Sequence, residues 1–101
     1  MVNLVFAAFG QRLVYRRGPS PVIAGNGTVC RFDLSDGYGG CDVYAEFAAG
    51  SARCAVRLDC SRCCDLPPEV AVSGRFSVRL VARRGASIFR TNYEHVTQEV
   101  R

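Results

Sequence analysis

The feature that most constrains this chain is a two-residue alternation of apolar and polar side chains, repeated in short runs through its second half. Phe32 and Leu34, then Val43, Ala45 and Phe47, then Cys54, Val56 and Leu58, then Phe76, Val78 and Leu80 each occupy every second position, with Arg, Asp, Glu and Ser between them. Successive side chains of an extended strand point to opposite faces, so this is the pattern of strands with one face in a core and the other in water. No segment keeps the 3.6-residue period over the three turns that a stable helix needs. The alternation predicts an all-β fold: a single small antiparallel β-sandwich, Ig-like or jelly-roll-like, of seven to eight strands.

Turn signals divide the chain accordingly. Leu4 to Phe9 and Arg12 to Arg17 read as two strands parted at Gly10-Gln11. Arg17-Gly18-Pro19-Ser20-Pro21 is a break, because two prolines in three residues deny a sheet its N–H donors. Thr28 to Ser35 follows the Gly25-Asn26-Gly27 turn, and the Gly-rich stretch Asp36 to Gly40 reads as a turn, since neither a helix nor a Lys-Ser/Thr pair follows it to hold phosphate. Asp42 to Ala48 and Ala52 to Asp59 form the clearest hairpin, Leu66 to Val70 a corner with at most one helical turn over Glu69 to Val72, and Arg75 to Arg84 with Ala86 to Asn92 a second hairpin around Gly85. His95 to Val100 extends the last strand. The nine residues expected inside are Phe32, Leu34, Val43, Phe47, Val56, Leu58, Phe76, Val78 and Leu80.

A chain of 101 residues is one domain, 1–101, and its 49% apolar and 22% charged residues are those of a folded protein. No window approaches the run of roughly 18 apolar residues that a membrane helix needs, so no membrane partner is expected. Met1 to Phe9 lacks the basic region of a leader and reads as a first strand. All 13 basic residues are Arg and the net charge is +4, but the arginines sit singly between buried positions, as Arg57 does beside Val56 and Arg79 beside Val78. Without interleaved aromatics they argue against nucleic acid as the partner. With one His and no Ser-His-Asp or Cys-His cluster, the chain reads as a binding or structural module with no catalytic residues, not as an enzyme.

Six cysteines in a short secreted chain would be a disulfide framework, but with no leader read at the N-terminus the expectation is reduced thiols. Cys30 and Cys54 fall on the apolar phase, where a thiol acts as a small hydrophobe. Cys60-Ser61-Arg62-Cys63 has the spacing of half a zinc knuckle. A closed site needs four ligands, however, and Cys64, Cys54, Cys41 and His95 offer no second paired knuckle, so no metal and no cofactor are expected. A thioredoxin-like motif would need a helix here, and Pro67-Pro68 forbids one.

Several of these pieces together resemble a module found at the N-termini of baseplate, tail-fibre and head-fibre proteins of bacteriophages and prophages. Val22 to Asn26 is similar to its lead-in, and Phe32-Asp33-Leu34-Ser35-Asp36-Gly37-Tyr38-Gly39-Gly40 to its F-x-x-S-x-x-W-D-G signature, with Tyr38 where the signature has Trp. Tyr44 to Phe47 resembles the following x-A-x-F strand. Cys64 to Val70 resembles the C-x-I-P-W-E-V corner through Pro67 and Glu69, with Pro68 at the Trp position, and Phe76-Ser77-Val78 and Arg90-Thr91-Asn92 resemble the F-x-V and x-T-N elements. The resemblance runs over 22–100 and implies a virion structural protein, assembled in the bacterial host cytoplasm. It would be an anchor, adaptor or decoration subunit of tail, baseplate, neck or capsid. In that family a coiled coil or receptor-binding shaft commonly follows the module, and a chain ending at Arg101 is expected to be only the docking piece, a capsid decoration, or a small tail or neck component. Phe32, Tyr38, Phe47, Pro67, Glu69, Thr91 and Asn92 carry the signature. Tyr38 is expected to cover the open end of the sandwich, and Pro67-Pro68 to set the crossing between sheets.

The implied partners are other virion proteins and further copies of the chain in a trimer or ring. Residues 1–17 are the expected assembly arm, because Leu4 to Phe9 is apolar on both phases, and Tyr93 to Val100 is the second contact element. Leu4, Phe6, Phe9, Tyr93 and Val96 are the expected interface residues, with one apolar face of the first strand covered by a neighbouring subunit; the alternative is an ordinary central strand buried within its own monomer. A shorter resemblance supplies the alternative function. Val56 to Cys63 is similar to the L-x-C-x-R-C-L motif of a bacterial family linked to accumulation of large-subunit ribosomal RNA, which implies an intracellular protein with zinc as its ligand.

Overall fold

Among the described residues, ten strands and one 3-10 turn follow one another: β1 (Val2–Phe9), β2 (Arg12–Arg17), β3 (Val22–Ile23), β4 (Thr28–Leu34), the turn Asp36–Tyr38, β5 (Asp42–Ala49), β6 (Ala52–Arg57), β7 (Cys63–Asp65), β8 (Gly74–Arg84), β9 (Ser87–Arg90) and β10 (Glu94–Glu99). This computed structural model describes residues 2–19, 21–23, 27–71 and 74–99. Met1 of the expected first strand, Ala24 to Asn26 of the lead-in, Val72 of the expected helical turn and Val100 of the last strand lie outside the described residues.

The smaller sheet runs β2-β1-β4-β7 and the larger β3-β10-β8-β5-β6, while β9 pairs with β8 off that path. Their inner faces meet to form the core of an all-β sandwich. From the smaller sheet come Leu4, Phe6, Ala8, Leu13, Cys30 and Phe32, and from the larger Val43, Ala45, Phe47, Phe76, Val78, Leu80, Ala82 and Val96, all buried. Phe6 stacks on Phe32 with ring centroids 5.1 Å apart, and Phe47 leans on Phe76 at 6.1 Å. Of the nine residues expected inside, seven are buried, whereas Leu34 and Val56 are half-buried and pack against the rim.

Three hairpins use one device. Gly10-Gln11, Gly50-Ser51 and Gly85-Ala86 join strands whose last pairs are Phe9 with Arg12, Ala49 with Ala52 and Arg84 with Ser87. The first residue of each connection takes a positive φ, 57°, 58° and 58°, which a two-residue hairpin needs and which Gly adopts without steric cost.

Two expectations are corrected. The described residues form ten strands, not seven to eight, because β3 and β7 hold only two and three residues, too few for any period to register. The sandwich is also not wholly antiparallel, since β1 pairs parallel with β4 and β10 parallel with β3. After the β1–β2 hairpin the chain crosses to the larger sheet to lay down β3, and returns to place β4 on the free side of β1.

That return also corrects the reading of β1 as an arm. It lies between β2 and β4, hydrogen-bonded on both sides. Its inner phase of Leu4, Phe6 and Ala8 is fully buried, and its outer phase is buried within the same chain at Val5 (8% exposed) and Ala7 (4%). Register sets Arg17 and Arg31 on either side of Val5, and Val14 and Asp33 on either side of Ala7. No neighbouring subunit is needed to cover them. Deleting residues 1–9 should therefore abolish folding, read as loss of the β-type circular-dichroism spectrum. Phe47→Ala should lower the free energy of urea unfolding by about 3–5 kcal/mol, the range for truncating a fully buried Phe.

Candidate functional site

Signature residues that are far apart in sequence meet at one end of the sandwich. The 3-10 turn carries Tyr38 inward, 1% exposed, with its ring centroid 5.1 Å from that of Phe89 on β9. Its hydroxyl donates to the carbonyl of Gly10 in the first hairpin at 2.5 Å. Burial, and then the neighbouring Cys41, push the Tyr38 hydroxyl above the ordinary phenol range, so it stays a donor at neutral pH. The Arg84 guanidinium donates to the carbonyl of Gly39 and holds the far side of the turn against β8.

On the other side of this end, Thr91 and Asn92 form the kink between β9 and β10. Between the pairs Val81–Arg90 and Val78–Glu94 lie two residues of β8 and three of the β9–β10 segment, so the ladder bulges there. Thr91 Oγ1 closes the gap by accepting the Leu80 N–H at 2.9 Å. Asn92 turns toward the smaller sheet, where its Oδ1 accepts the Leu13 N–H at 2.7 Å and its Nδ2 donates to the Leu13 carbonyl at 3.1 Å. Glu94 Oε2 accepts the Tyr15 N–H at 2.8 Å. Two side chains thus take the place of a neighbouring strand along β2. Gly10 and Gln11, read in the sequence only as a strand break, and Leu13 are essential to this end; their partners Tyr38 and Asn92 lie in distant parts of the chain, which no local pattern shows. Phe32 and Phe47 are core residues, while Pro67 and Glu69 lie in the corner from β7 toward β8, where Val70 donates to the carbonyl of Pro67 at 3.1 Å.

The cysteine segment is organised by a carboxylate. Asp59 Oδ1 accepts from the Ser61 N–H at 2.9 Å, the Ser61 hydroxyl at 2.7 Å and the Cys63 N–H at 3.0 Å. These bonds, that of Cys63 foremost, hold the Asp59 carboxyl below the usual carboxylate range. Arg62, with φ at 61°, turns the chain into β7. Cys60 is exposed, and alternation sends Cys63 to the outer face and Cys64 to the inner. Cys64 lies opposite Cys30 across β4 and β7, and the contact between the two thiols, reinforced by burial, pushes Cys30 far above its ordinary thiol range. Burial and the nearby Glu69 raise Cys54 as well. Among the described residues no three His, Cys, Asp or Glu side chains are grouped to hold a metal ion.

The expected interface residues divide. Leu4 and Phe6 are 0% exposed and Val96 is 3% exposed, so they are corrected from contacts to core: all three alternate onto inner faces. Phe9 (56%) and Tyr93 (41%) reach the surface, and the Arg79 guanidinium lies 4.7 Å over the Tyr93 ring. Arg79 also pairs with Glu46 at 2.6 Å, as Arg57 does with Asp42. Compared with protein-family models, curated proteins and solved structures, the chain matches none. The arrangement offers three buried thiols, Cys30, Cys41 and Cys64, an exposed one at Cys60, a closed end, and sheet faces bearing arginines and exposed rings.

Replacing Asn92 with Ala should cost about 1–2 kcal/mol, because it removes paired bonds to one strand edge, and urea unfolding checks it. Asp59 gives a pH test. Its folded pKa is depressed, so its stabilisation is full above the unfolded value near 4 and is lost as pH falls through the lower folded value. Wild-type stability should fall more steeply than that of Asp59→Asn as urea unfolding is repeated from pH 5 downward.

Proposed function

We propose that the protein is a bacteriophage virion structural protein, an anchor, adaptor or decoration subunit of tail, baseplate, neck or capsid, which works by protein–protein assembly and carries out no catalysis. The observation that carries this reading is the use made of the signature residues. Tyr38 and Asn92 come from separate parts of the chain and are tied to the same hairpin, Tyr38 through Gly10 and Asn92 through its N–H to the Gln11 carbonyl at 3.3 Å. Such a signature builds a rigid frame, and a frame leaves function to its surfaces. Phe9 and Tyr93 are the members of the expected contact set that a partner can reach. In this reading the partners are other virion proteins and further copies of the chain, joined in the host cytoplasm.

Mass spectrometry of purified particles should detect the protein at a stoichiometry that is a multiple of the local symmetry. Its absence from particles, with a monomer persisting at high concentration, would sink the proposal. A Phe9→Ala, Tyr93→Ala double variant should fold with stability close to wild type, because both rings are exposed, and should enter particles less well.

A further inference from the structure

Most lateral edges of the two sheets are short or already engaged among the described residues. Along β2, Leu13 and Tyr15 are held by the side chains of Asn92 and Glu94. On β7, the Cys63 N–H donates to Asp59 Oδ1 and the Cys63 carbonyl accepts the Asp59 N–H at 3.3 Å. β3 has two residues and β9 has four. β6 is different. It runs six residues without proline, bulge or inward charge, and the two charges it carries, Arg53 and Arg57, stand on its outward face. Leu58 donates to the Val43 carbonyl at 2.9 Å, which fixes the phase: residues 52, 54 and 56 turn their backbone groups to β5, and Arg53, Ala55 and Arg57 turn theirs outward. Among the described residues nothing bonds to these outward groups.

We propose that β6 is a docking edge for an extended segment of another protein, which joins the larger sheet as its next strand with acidic side chains over Arg53 and Arg57 and small apolar ones on the inward positions. The inward positions follow from the seam beneath. Cys54 and Val56 are half-buried, and Val56 lines an open cleft of about 390 Å³ with Val29, Cys63, Cys64 and Asp65 between β6 and β7. The acidic positions follow from charge. Arg53 and Arg57 are exposed, and the Arg57–Asp42 pair is itself more than half exposed on both sides, so solvent screens it and leaves the guanidinium open to another carboxylate. Charge also opposes a second copy in the register centred on the strand. An antiparallel β6–β6 pairing centred on Ala55 would set Arg53 of one copy directly against Arg57 of the other, and like charges opposite each other destabilise a ladder. Strand addition supplies the backbone bonds, and the alternating side chains supply the selection.

This inference rests on the assembly reading, and its test separates the two. The probe is an acetylated, amidated peptide, Glu-Val-Glu-Val-Glu-Val-Glu, titrated into the nitrogen-15-labelled full chain, with a Lys-Val-Lys-Val-Lys-Val-Lys control. The amides of Arg53, Ala55 and Arg57 should shift and exchange with solvent about ten-fold more slowly with the acidic peptide alone. Ala55→Pro removes one outward N–H and leaves the ladder to β5 intact, so it should weaken binding about ten-fold with the rest of the spectrum unchanged. An Arg53→Glu, Arg57→Glu variant keeps the whole backbone and should exchange preference for the acidic peptide for preference for the basic one. Unchanged amides at these three positions, equal response to both peptides, or protection that grows with protein concentration alone would overturn the docking edge. If wild type and Ala55→Pro enter particles equally, β6 is not the assembly contact and the virion reading stands. If wild type is missing from particles, the virion reading fails, and the peptide titration alone decides the edge.

Discussion

The smaller sheet depends on the stacking of Phe6 against Phe32, and that contact exists because β4 returns to lie parallel to β1. With β1 central, Phe6 also meets the Tyr15 ring of β2 at 5.1 Å, so one side chain joins three neighbouring strands. Leu4 and Ala8 extend the same buried row on either side of it. Everything the sheet presents to the larger one follows from this arrangement, as does the burial of Val5 and Ala7 on its other face. A strand apolar on both phases finds cover inside a single chain when its neighbours carry long side chains, as Arg17 and Arg31 are placed to do.

With the core set in this way, the remaining structural demand is at the edges, where each unpaired N–H and C=O needs a partner or water. The protein meets it with side chains. Asn92 presents an acceptor and a donor to the two backbone groups of Leu13, as a strand would, and one carboxylate, Asp59, gathers the turn into β7. The two act under different conditions. Asn92 works at any pH, whereas protonation of Asp59 removes the charge that strengthens its three bonds, so acid weakens the cysteine turn before it reaches the Asn92 tie.

How much of this the sequence disclosed follows from how local each signal is. Alternation is a property of neighbouring residues, and it marked β4, β5, β6 and β8 and most of their inward side chains. Gly10, Gly50 and Gly85 marked their hairpins because the positive φ is needed at one residue. β3 and β7 were too short to show a period, and the parallel pairings depend on which strand returns beside which, a fact no window contains. The Asn92–Leu13 tie spans 79 positions. The same limit explains Leu4, Phe6 and Val96: an apolar residue on a strand looks alike whether a second sheet or a second subunit covers it. The edge position of β6 was equally hidden, since its Arg-x-x-x-Arg spacing suits any solvent face.

Sequence and topology therefore separate two kinds of arginine that composition alone treats as one. Arg79 pairs with Glu46 and lies over Tyr93, where less of it is exposed, and it belongs to the frame of the larger sheet. Arg53 and Arg57 stand on a strand whose outward backbone is unengaged among the described residues, so their charge acts at the place where another strand could pair. An edge left bare is normally an aggregation hazard, and lysines or other charges on it are the usual protection. Two arginines four positions apart on one edge do more than repel water-excluding contacts. They oppose pairing with a second copy of the same strand while attracting a strand of opposite charge, so the feature that keeps the free subunit from joining itself also sets what it accepts.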